Sequence, residues 1–210
     1  MKIAVINEFS TKNRNKDLMK ALEELGFEPM NLGMKDEEGE PMLNYLETAF
    51  LSALMLNLKA VDYIVGGCGT GQGYMNALLQ YPGTFCGLVA DPTDAFLYSR
   101  INAGNCVSLP LNKGYGGVGG DINMKYIFEK LFNDTYGGGY PESRKEFQAG
   151  LRKTLSDLSA NAHKSMEEII DCMDEDVLKH SLLFPGIREA VEAAPEGTLK
   201  EKIKGWYEKQ

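Results

Sequence analysis

Residues 61–73 of the chain read VDYIVGGCGTGQG, an apolar run followed at once by a glycine-rich loop. The last eight of these residues contain five glycines, one cysteine and one threonine. A short apolar run that ends in glycines is typical of a buried parallel strand, because glycines let the backbone turn tightly into a following helix. The stretch predicts an α/β protein and places Cys68 at the mouth of a strand.

The same alternation of short apolar runs and helical patterns extends to about residue 135. It indicates successive β-α units that form a parallel sheet. Leucines at helical spacing before Gly26 mark one helix, and the apolar positions of residues 43–58 mark another. Five strands are predicted, at residues 2–7, 27–32, 61–66, 84–90 and 106–109.

The composition changes after Pro141, where the sequence becomes charged and helical in pattern. Leucines at 151, 155 and 158 fall on one helical face, and a second apolar face follows from Met166. We therefore predict two parts: an α/β domain at residues 1–140 and a helical C-terminal extension at residues 141–210.

Composition limits the classes of partner. The chain has 210 residues and a formal net charge of −8, which disfavours nucleic acid and anionic membranes and leaves small molecules and protein chains. Its four cysteines lack CxxC or Cys/His spacing, so neither a disulfide framework nor a structural zinc site is expected. No signal-peptide pattern and no apolar run of about 18 residues is present, so we expect a cytoplasmic protein.

The glycine-rich loop is a candidate ligand site, because unpaired backbone amides gather where parallel strands end and helices begin. Glycines at 69, 71 and 73 let successive amides converge on an anion, and Thr70 adds a hydroxyl donor. The alternative is a turn whose glycines serve only close packing of a helix. The bare pattern leaves both interpretations open.

Two side chains near this loop carry possible chemistry. Cys68 is a candidate base or nucleophile, because a nearby helix start favours the thiolate form; the alternative is a small buried filler. Glu8 follows the first strand and is expected at the same sheet edge, where its carboxylate could bind sugar hydroxyls or orient an acid. A solvated loop glutamate is the alternative for Glu8.

Other motifs are weaker. Asn102 and Asn105 could hold hydroxyls or an enediolate, although capping and turn roles are common for asparagine. Residues 114–119 fit GxGxxG but lie late in the chain and lack a suitable acidic partner, so dinucleotide binding is not expected. The two histidines, His163 and His180, lack metal-ligand spacing and favour surface or helix-end roles.

Taken together, the motifs resemble the ribose 5-phosphate isomerase B and galactose 6-phosphate isomerase (RpiB/LacA/LacB) family over roughly residues 1 to 155. The resemblance implies a Rossmann-like three-layer α/β/α sandwich and metal-free, cofactor-free aldose–ketose isomerisation through a cis-enediolate. It also implies a homodimer, possibly a tetramer, with active sites shared across the subunit interface. The motifs are KIAV at 2–5, GCGTGQG at 67–73, DPTDA at 91–95, Asn102, Asn105, Gly138, Gly139 and Arg144.

The resemblance also implies roles for individual residues. Cys68 matches the base that moves a proton between C1 and C2, and Thr70 matches its hydroxyl neighbour. The amides of residues 69–73 match those that stabilise enediolate charge, and Arg144 matches an arginine that reaches the phosphate in the partner's site. The residues expected to bind substrate are Glu8, Gly69, Gly71, Gly73, Asn102 and Arg144.

This sequence departs from the family pattern at four positions. Glu8 stands for an aspartate, and Phe9 stands for the histidine that helps to hold the phosphate. Ile101 stands for the ring-opening histidine, and Tyr140 for one of two phosphate-binding arginines. The departures affect two functions of the family's site, opening of the sugar ring and binding of the phosphate.

Two explanations follow from these departures. The substrate is used in open-chain form, or another group such as Glu8 or His163 acts as the acid. The sequence predicts an isomerase of a small sugar, with a sugar phosphate expected before an unphosphorylated sugar. The alternatives are a non-catalytic sugar- or nucleotide-binding module and a thiol enzyme with Cys68 as nucleophile. A phosphate would be met by Arg144 with Lys12, Arg14 or Lys113.

Overall fold

The computed structural model of the chain describes residues 1–113 and 119–210. At its centre is a five-stranded sheet in which each pairing is parallel. The strands are β1 Ile3–Asn7, β2 Met30–Asn31, β3 Tyr63–Cys68, β4 Cys86–Leu88 and β5 Cys106–Pro110. They lie in the order β2-β1-β3-β5-β4, so β3 is the central strand.

Side chains of the central strands alternate between two apolar cores, one on each face of the sheet. Ile6 and Ile64 belong to one core, whereas Val5 and Val65 belong to the other. Because successive side chains of a strand point to opposite faces, continuous apolar strands require helices on both sides. The three-layer α/β/α sandwich predicted from the sequence is confirmed.

Helices cover the two faces. On the face of Val5 and Val65 lie α1 Asn15–Glu23, α4 Pro92–Leu97 and α5 Gly120–Phe132. On the face of Ile6 and Ile64 lie α2 Tyr45–Asn57 and α3 Gln72–Leu78. α2 begins with a capping box, in which the side chain of Asn44 accepts from the first-turn amides and Glu47 accepts from the Asn44 amide.

The two edge strands are shorter than the sequence predicts. β2 has two residues where six were expected from the pattern of residues 27–32. β4 has three residues where seven were expected from residues 84–90. An edge strand pairs on one side only, so fewer ladder hydrogen bonds hold its ends in strand geometry.

The C-terminal part is helical, as predicted, and much of it packs on α2. Phe184, Ile187 and Ile203 lie in the same core as Leu54 of α2. The extension therefore shares a core with the sheet. The domain boundary between residues 140 and 141 stays a prediction. The helices of the extension are α6 Lys145–Ala162, α7 Met166–Cys172, α8 Glu175–Leu182, α9 Ile187–Ala193 and α10 Thr198–Tyr207.

Helix α6 differs from the other extension helices because its apolar face is exposed. Phe147, Leu151, Leu155 and Leu158 recur at helical spacing and each is more than half exposed. We call these four residues the α6 stripe. Within residues 1–113 and 119–210, no helix is both long and apolar enough to cross a membrane.

Phe184 tests how firmly the extension packs on the sheet domain. Its side chain is 2% exposed, so Phe184→Ala should lower the free energy of unfolding by about 3–5 kcal/mol through lost burial and a cavity. Urea unfolding measures the change. The neighbouring Leu183 is 51% exposed, so Leu183→Ala should change stability by about 0.5 kcal/mol or less. Equal effects of the two substitutions would contradict this packing.

Candidate active site

Three parallel strands end at one edge of the sheet and bring their last residues together. Asn7 of β1 pairs with Gly67 of β3, and Cys68 pairs with Pro110 of β5. Glu8 follows Asn7 and therefore lies beside Cys68, at the separation of roughly 5 Å between neighbouring strands. The structure brings two of the predicted site residues, Glu8 and Cys68, to the same edge.

The loop after Cys68 turns at Gly71, where φ is +74°. The amide of Gly71 donates to the Cys68 carbonyl at 3.2 Å, and the Ser108 hydroxyl donates to the Gly71 carbonyl at 2.5 Å. A β-carbon at Gly71 would come within 2.6 Å of Leu88 Cδ1. Positive φ and this close approach both require glycine.

The turn leaves several backbone amides without a hydrogen-bond partner among the described residues. Gly71 caps the start of α3, and the amide of Gln72 donates to Thr70 Oγ1 at 3.3 Å. None of the hydrogen bonds in the described part of the chain uses the amides of Gly69, Thr70 or Gly73. These three amides are available to an anion, whereas the Gly71 amide is already bound.

Cys68 is a nearly buried thiol at the end of β3. It is 7% exposed, and its Sγ lies 4.0 Å from Thr70 Oγ1. All four cysteines of the chain are free. By contrast, Cys106 lies deep in the sheet, where burial raises the pKa of its thiol well above the usual value.

Glu8 is held in a hydrogen-bonded cluster and is not a solvated loop residue. Glu8 is 3% exposed, and its carboxylate accepts from the Ser10 amide at 2.9 Å and from the Ser10 hydroxyl. Asn112, just beyond β5, donates to the Ser10 carbonyl at 2.9 Å and to the Gly69 carbonyl at 3.0 Å. A β-carbon at Gly69 would lie 3.4 Å from Ser10 Oγ. The cluster therefore borders the Cys68 loop.

Asn102 lies at the opposite edge of the sheet. It ends the π-helical segment Tyr98–Asn102, which leads into the amino end of β5. Cys106, the first residue of β5, pairs with Ile64, four residues before Cys68 on β3. Four residues of strand span about 13 Å. Within one chain, Asn102 and Cys68 therefore do not meet.

Asn105 has a structural part in this region. Its Nδ2 donates to the Gly83 carbonyl at 2.7 Å, and its Oδ1 accepts from the Phe85 amide at 2.9 Å. These bonds connect the segments that immediately precede β4 and β5. The turn interpretation of Asn105 agrees with this geometry.

Arg144 is exposed at the end of the 3-10 turn Glu142–Arg144, just before α6. The preceding loop is held by two other arginines. Arg100 Nε donates to the Gly139 carbonyl at 3.1 Å, and Arg152 Nη2 donates to the Gly137 carbonyl at 3.5 Å. Arg152 Nη1 also donates to the Ile101 carbonyl at 2.8 Å. Arg144 therefore follows a loop that is tied to the Asn102 side of the molecule and not to Cys68.

An ion pair further fixes this loop. Arg100 Nη1 contacts Asp134 Oδ1 at 2.8 Å. The amide of Thr135 and then the Arg100 guanidinium hold the pKa of the Asp134 carboxyl below its usual value. Tyr140, which stands for a family arginine, packs edge-on against Phe96 with ring centroids 5.3 Å apart.

His163, a possible replacement acid, lines one pocket together with Ile101 and Asn102, and Cys68 is not part of that lining. Arg152 Nη1 donates to the Ile101 carbonyl in the same pocket. His163 lies at the end of α6. His163 Nδ1 lies 3.0 Å from the Ser159 carbonyl.

The possible phosphate ligands also differ in their surroundings. Lys12 pairs with Asp36 at 2.8 Å, and that hydrogen bond raises the pKa of Lys12. Lys113 is exposed and follows β5 at the Cys68 edge. No group of three His, Cys, Asp or Glu side chains that could hold a metal occurs among the described residues. The GxGxxG pattern falls largely on residues 114–118, outside the described residues.

A family model described as ribose/galactose isomerase matches residues 3–145 of the chain. The chain belongs to the ribose/galactose isomerase family. The resemblance found in the sequence is confirmed, and with it the class of reaction, sugar aldose–ketose isomerisation. The comparison with curated proteins gave no match.

Two solved structures that are similar to this chain are named as isomerases, one of a sugar acid and one of a sugar phosphate. It is 37% identical to a 4-deoxy-L-threo-5-hexosulose-uronate ketol-isomerase complexed with a tartrate, with TM-score 0.92 and coverage of 100% of this chain and 98% of that one. It is 34% identical to a ribose-5-phosphate isomerase from Vibrio parahaemolyticus, with TM-score 0.89 and the same coverage.

A third structure shares the fold alone. The type B ribose 5-phosphate isomerase of Trypanosoma cruzi is 21% identical, with TM-score 0.65, and covers 77% of this chain and 97% of its own. The family fold therefore exists without a part of the present chain, whereas the two more similar structures match the chain throughout.

Sequence reasoning missed three residues beside the loop. Ser10 and Asn112 contact the Glu8 cluster, and the Tyr45 ring lies 3.4 Å from where a Gly73 β-carbon would be. Asn112 follows β5 as Glu8 follows β1, so the strand-end rule that found Glu8 could have found Asn112. Nothing in the local sequence indicates Tyr45, which reaches the loop from the start of α2.

Gly71 tests the loop conformation. Gly71→Ala places a β-carbon at positive φ against Leu88, so we expect a loss of about 1–3 kcal/mol in the free energy of unfolding and a lower kcat. Gly150, inside α6, has open space around it, so Gly150→Ala should stabilise by up to about 1 kcal/mol through helix propensity. Chemical denaturation measures both. Wild-type stability and turnover in the Gly71 variant would contradict the strained turn.

Proposed function

We propose that the protein isomerises an open-chain sugar between aldose and ketose, with Cys68 as the base that moves the proton between C1 and C2. The observation that carries the proposal is the position of the Cys68 thiol beside the open amides of Gly69, Thr70 and Gly73. A base that removes a proton next to a carbonyl works best where donors meet the developing oxyanion.

The proton transfer balances within the substrate. The Cys68 thiolate takes the proton from C2 of the aldose, and the electron pair of that C–H bond forms the enediolate. Hydrogen bonds from the open amides stabilise its negative charge, and the thiol returns the proton to C1. The Thr70 hydroxyl, which lies 4.0 Å from Cys68 Sγ, moves the proton between the two oxygens. Glu8 binds a substrate hydroxyl.

The substrate that best fits these residues is a sugar acid, not a sugar phosphate. Phe9 and Tyr140 replace two family groups that hold phosphate, and Ile101 replaces the ring-opening histidine. A hexosulose uronate has no phosphate, and it reacts as an open-chain aldehyde. Support also comes from the full-length neighbour named as a 4-deoxy-L-threo-5-hexosulose-uronate ketol-isomerase.

The base is tested by solvent exchange. The protein and 4-deoxy-L-threo-5-hexosulose uronate, in deuterated water, should give ketose with deuterium at C1. Cys68→Ala should slow turnover by at least about a hundredfold, the usual scale for loss of an acid–base group. Cys172, an exposed cysteine of the extension, is the matched control, and Cys172→Ser should keep the wild-type rate.

Three results would count against this function. No deuterium in any candidate sugar, sugar acid or sugar phosphate would indicate a non-catalytic binding module. A stable mass adduct on Cys68 would indicate nucleophilic chemistry. A near-wild-type rate in Cys68→Ala would remove Cys68 from the role of base.

We also propose that two copies complete each site in a cytoplasmic homodimer. Asn102 and Arg144 lie away from Cys68 in one chain, so a second copy is the means by which they would reach it. The α6 stripe begins just after Arg144 and offers an apolar surface for such contact. Exposed apolar patches of this kind are typical of subunit interfaces. The four free cysteines agree with a reducing compartment.

Complementation between inactive variants tests the shared site. Cys68→Ala and Asn102→Ala should each be inactive as homodimers, whereas coexpression should form mixed dimers with one intact site. Purified mixed dimers should show about half of the wild-type kcat, because one of their two sites is intact. Steady-state assays on doubly tagged dimers measure this recovery. Absence of recovery in purified mixed dimers would contradict a shared site.

Leu155→Lys places a charge in the α6 stripe and should therefore abolish the dimer, as measured by light scattering.

A further inference from the structure

A pocket built jointly by the α/β domain and the C-terminal extension lies next to the candidate active site. Its volume is about 540 Å³. Phe9 and Met42 line it from the α/β domain, and Lys179, His180 and Leu183 line it from α8 and its end. Residues from the extension therefore face residues that immediately follow β1.

The pocket adjoins the reactive edge of the sheet on two sides. Phe9 directly follows Glu8, which lies beside Cys68 through the pairing of β1 with β3. Asn44, another lining residue, directly precedes Tyr45, whose ring packs against Gly73 of the loop. The pocket lining therefore includes the chain neighbours of Glu8 and of Tyr45, two residues that border the Cys68 loop.

A buried carboxylate orients one wall of the pocket. Glu47 is 3% exposed, and its two oxygens bind separate donors: Oε2 accepts from the Asn44 amide at 2.6 Å, and Oε1 contacts His180 Nδ1 at 3.0 Å. Because Glu47 occupies Nδ1 of the ring, Nε2 is the nitrogen left for a ligand. In its protonated form the ring donates to Glu47 and to a ligand at once.

Lys179 supplies positive charge beside this histidine. It is exposed, and no ion pair among the described residues uses its ammonium group. The Oδ1 of Asn44, another lining residue, already accepts hydrogen bonds from the Leu46 and Glu47 amides. The pocket lining therefore combines two groups that can bind an anion, Lys179 and His180, with the apolar side chains of Phe9 and Met42.

We propose that this pocket binds the carboxylate end of an open-chain sugar acid whose carbonyl end lies at Cys68. Lys179 and His180 bind the carboxylate, and Phe9 and Met42 contact the carbon chain before it. Glu47 is a positioning residue that fixes the His180 ring. The C-terminal extension thus determines substrate specificity. This inference rests on the proposed function, because it takes the sugar acid as the substrate of the same site.

Direct binding separates this inference from catalysis. The Cys68→Ala protein, which cannot move the proton, is titrated with 4-deoxy-L-threo-5-hexosulose uronate in a calorimeter. Adding Lys179→Met and His180→Gln should weaken binding by about tenfold or more, the scale of a lost charge-assisted hydrogen bond. The matched control is Lys20→Met, which removes the same charge from exposed α1 on the other face of the sheet and should leave the affinity unchanged.

The role of Glu47 is tested by a double-mutant cycle. Glu47→Gln should weaken uronate binding when His180 is present and have no further effect when His180→Gln is already in place. A merely structural contribution of Glu47 would weaken binding equally in both backgrounds. The interaction energy from the four titrations is therefore the measurement that distinguishes positioning from stability.

The outcomes are distinct for the two proposals. If the wild type isomerises the uronate but the Lys179 and His180 substitutions leave its affinity within twofold, the pocket assignment is wrong and the proposed function stands. If the Cys68→Ala protein binds the uronate through Lys179 and His180 but the wild type does not isomerise it, the pocket stands and the function fails. No detectable binding of the uronate overturns the pocket assignment.

Discussion

The candidate site depends on the close packing of α3 against β3. A β-carbon at Gly66 would collide with the Tyr74 side chain, which is fully buried and whose hydroxyl bonds to Ser52 Oγ at 2.6 Å. Burial raises the pKa of that tyrosine well above its usual value, so it stays neutral in the core. Glycine at this position lets α3 lie directly on the sheet, and this fixes the turn that follows Cys68.

The same edge shows how an added segment can join an existing site. The buried Glu47 carboxylate makes two contacts. It accepts from the Asn44 amide in the capping box of α2, and it also contacts the His180 ring of α8 in the extension. A buried carboxylate that lost this partner would carry an unmet desolvation cost. The extension also packs on α2 through Leu182 and other residues of the shared core. Its helix α8 lines a pocket together with Phe9.

Much of the fold could be predicted from the chain alone, because apolar strands and amphipathic helices have local periodicities. The strands around Val5, Val65 and Val107 are apolar on both faces and form the centre of the sheet. The edge strands were overestimated, since their length depends on a neighbour on one side only. The glycines of the loop were found from composition, although the engagement of the Gly71 amide with the Cys68 carbonyl was not.

The sequence by itself determined the parallel α/β class, the family and the residues at the strand ends, Glu8 and Cys68. These properties follow from local spacing and from motifs contiguous in the chain. Only the tertiary structure decided that Asn102 lies at the opposite sheet edge from Cys68, and that His180 meets Glu47 across 133 positions of sequence. Contacts at such separation depend on strand order and helix packing, which no local pattern encodes.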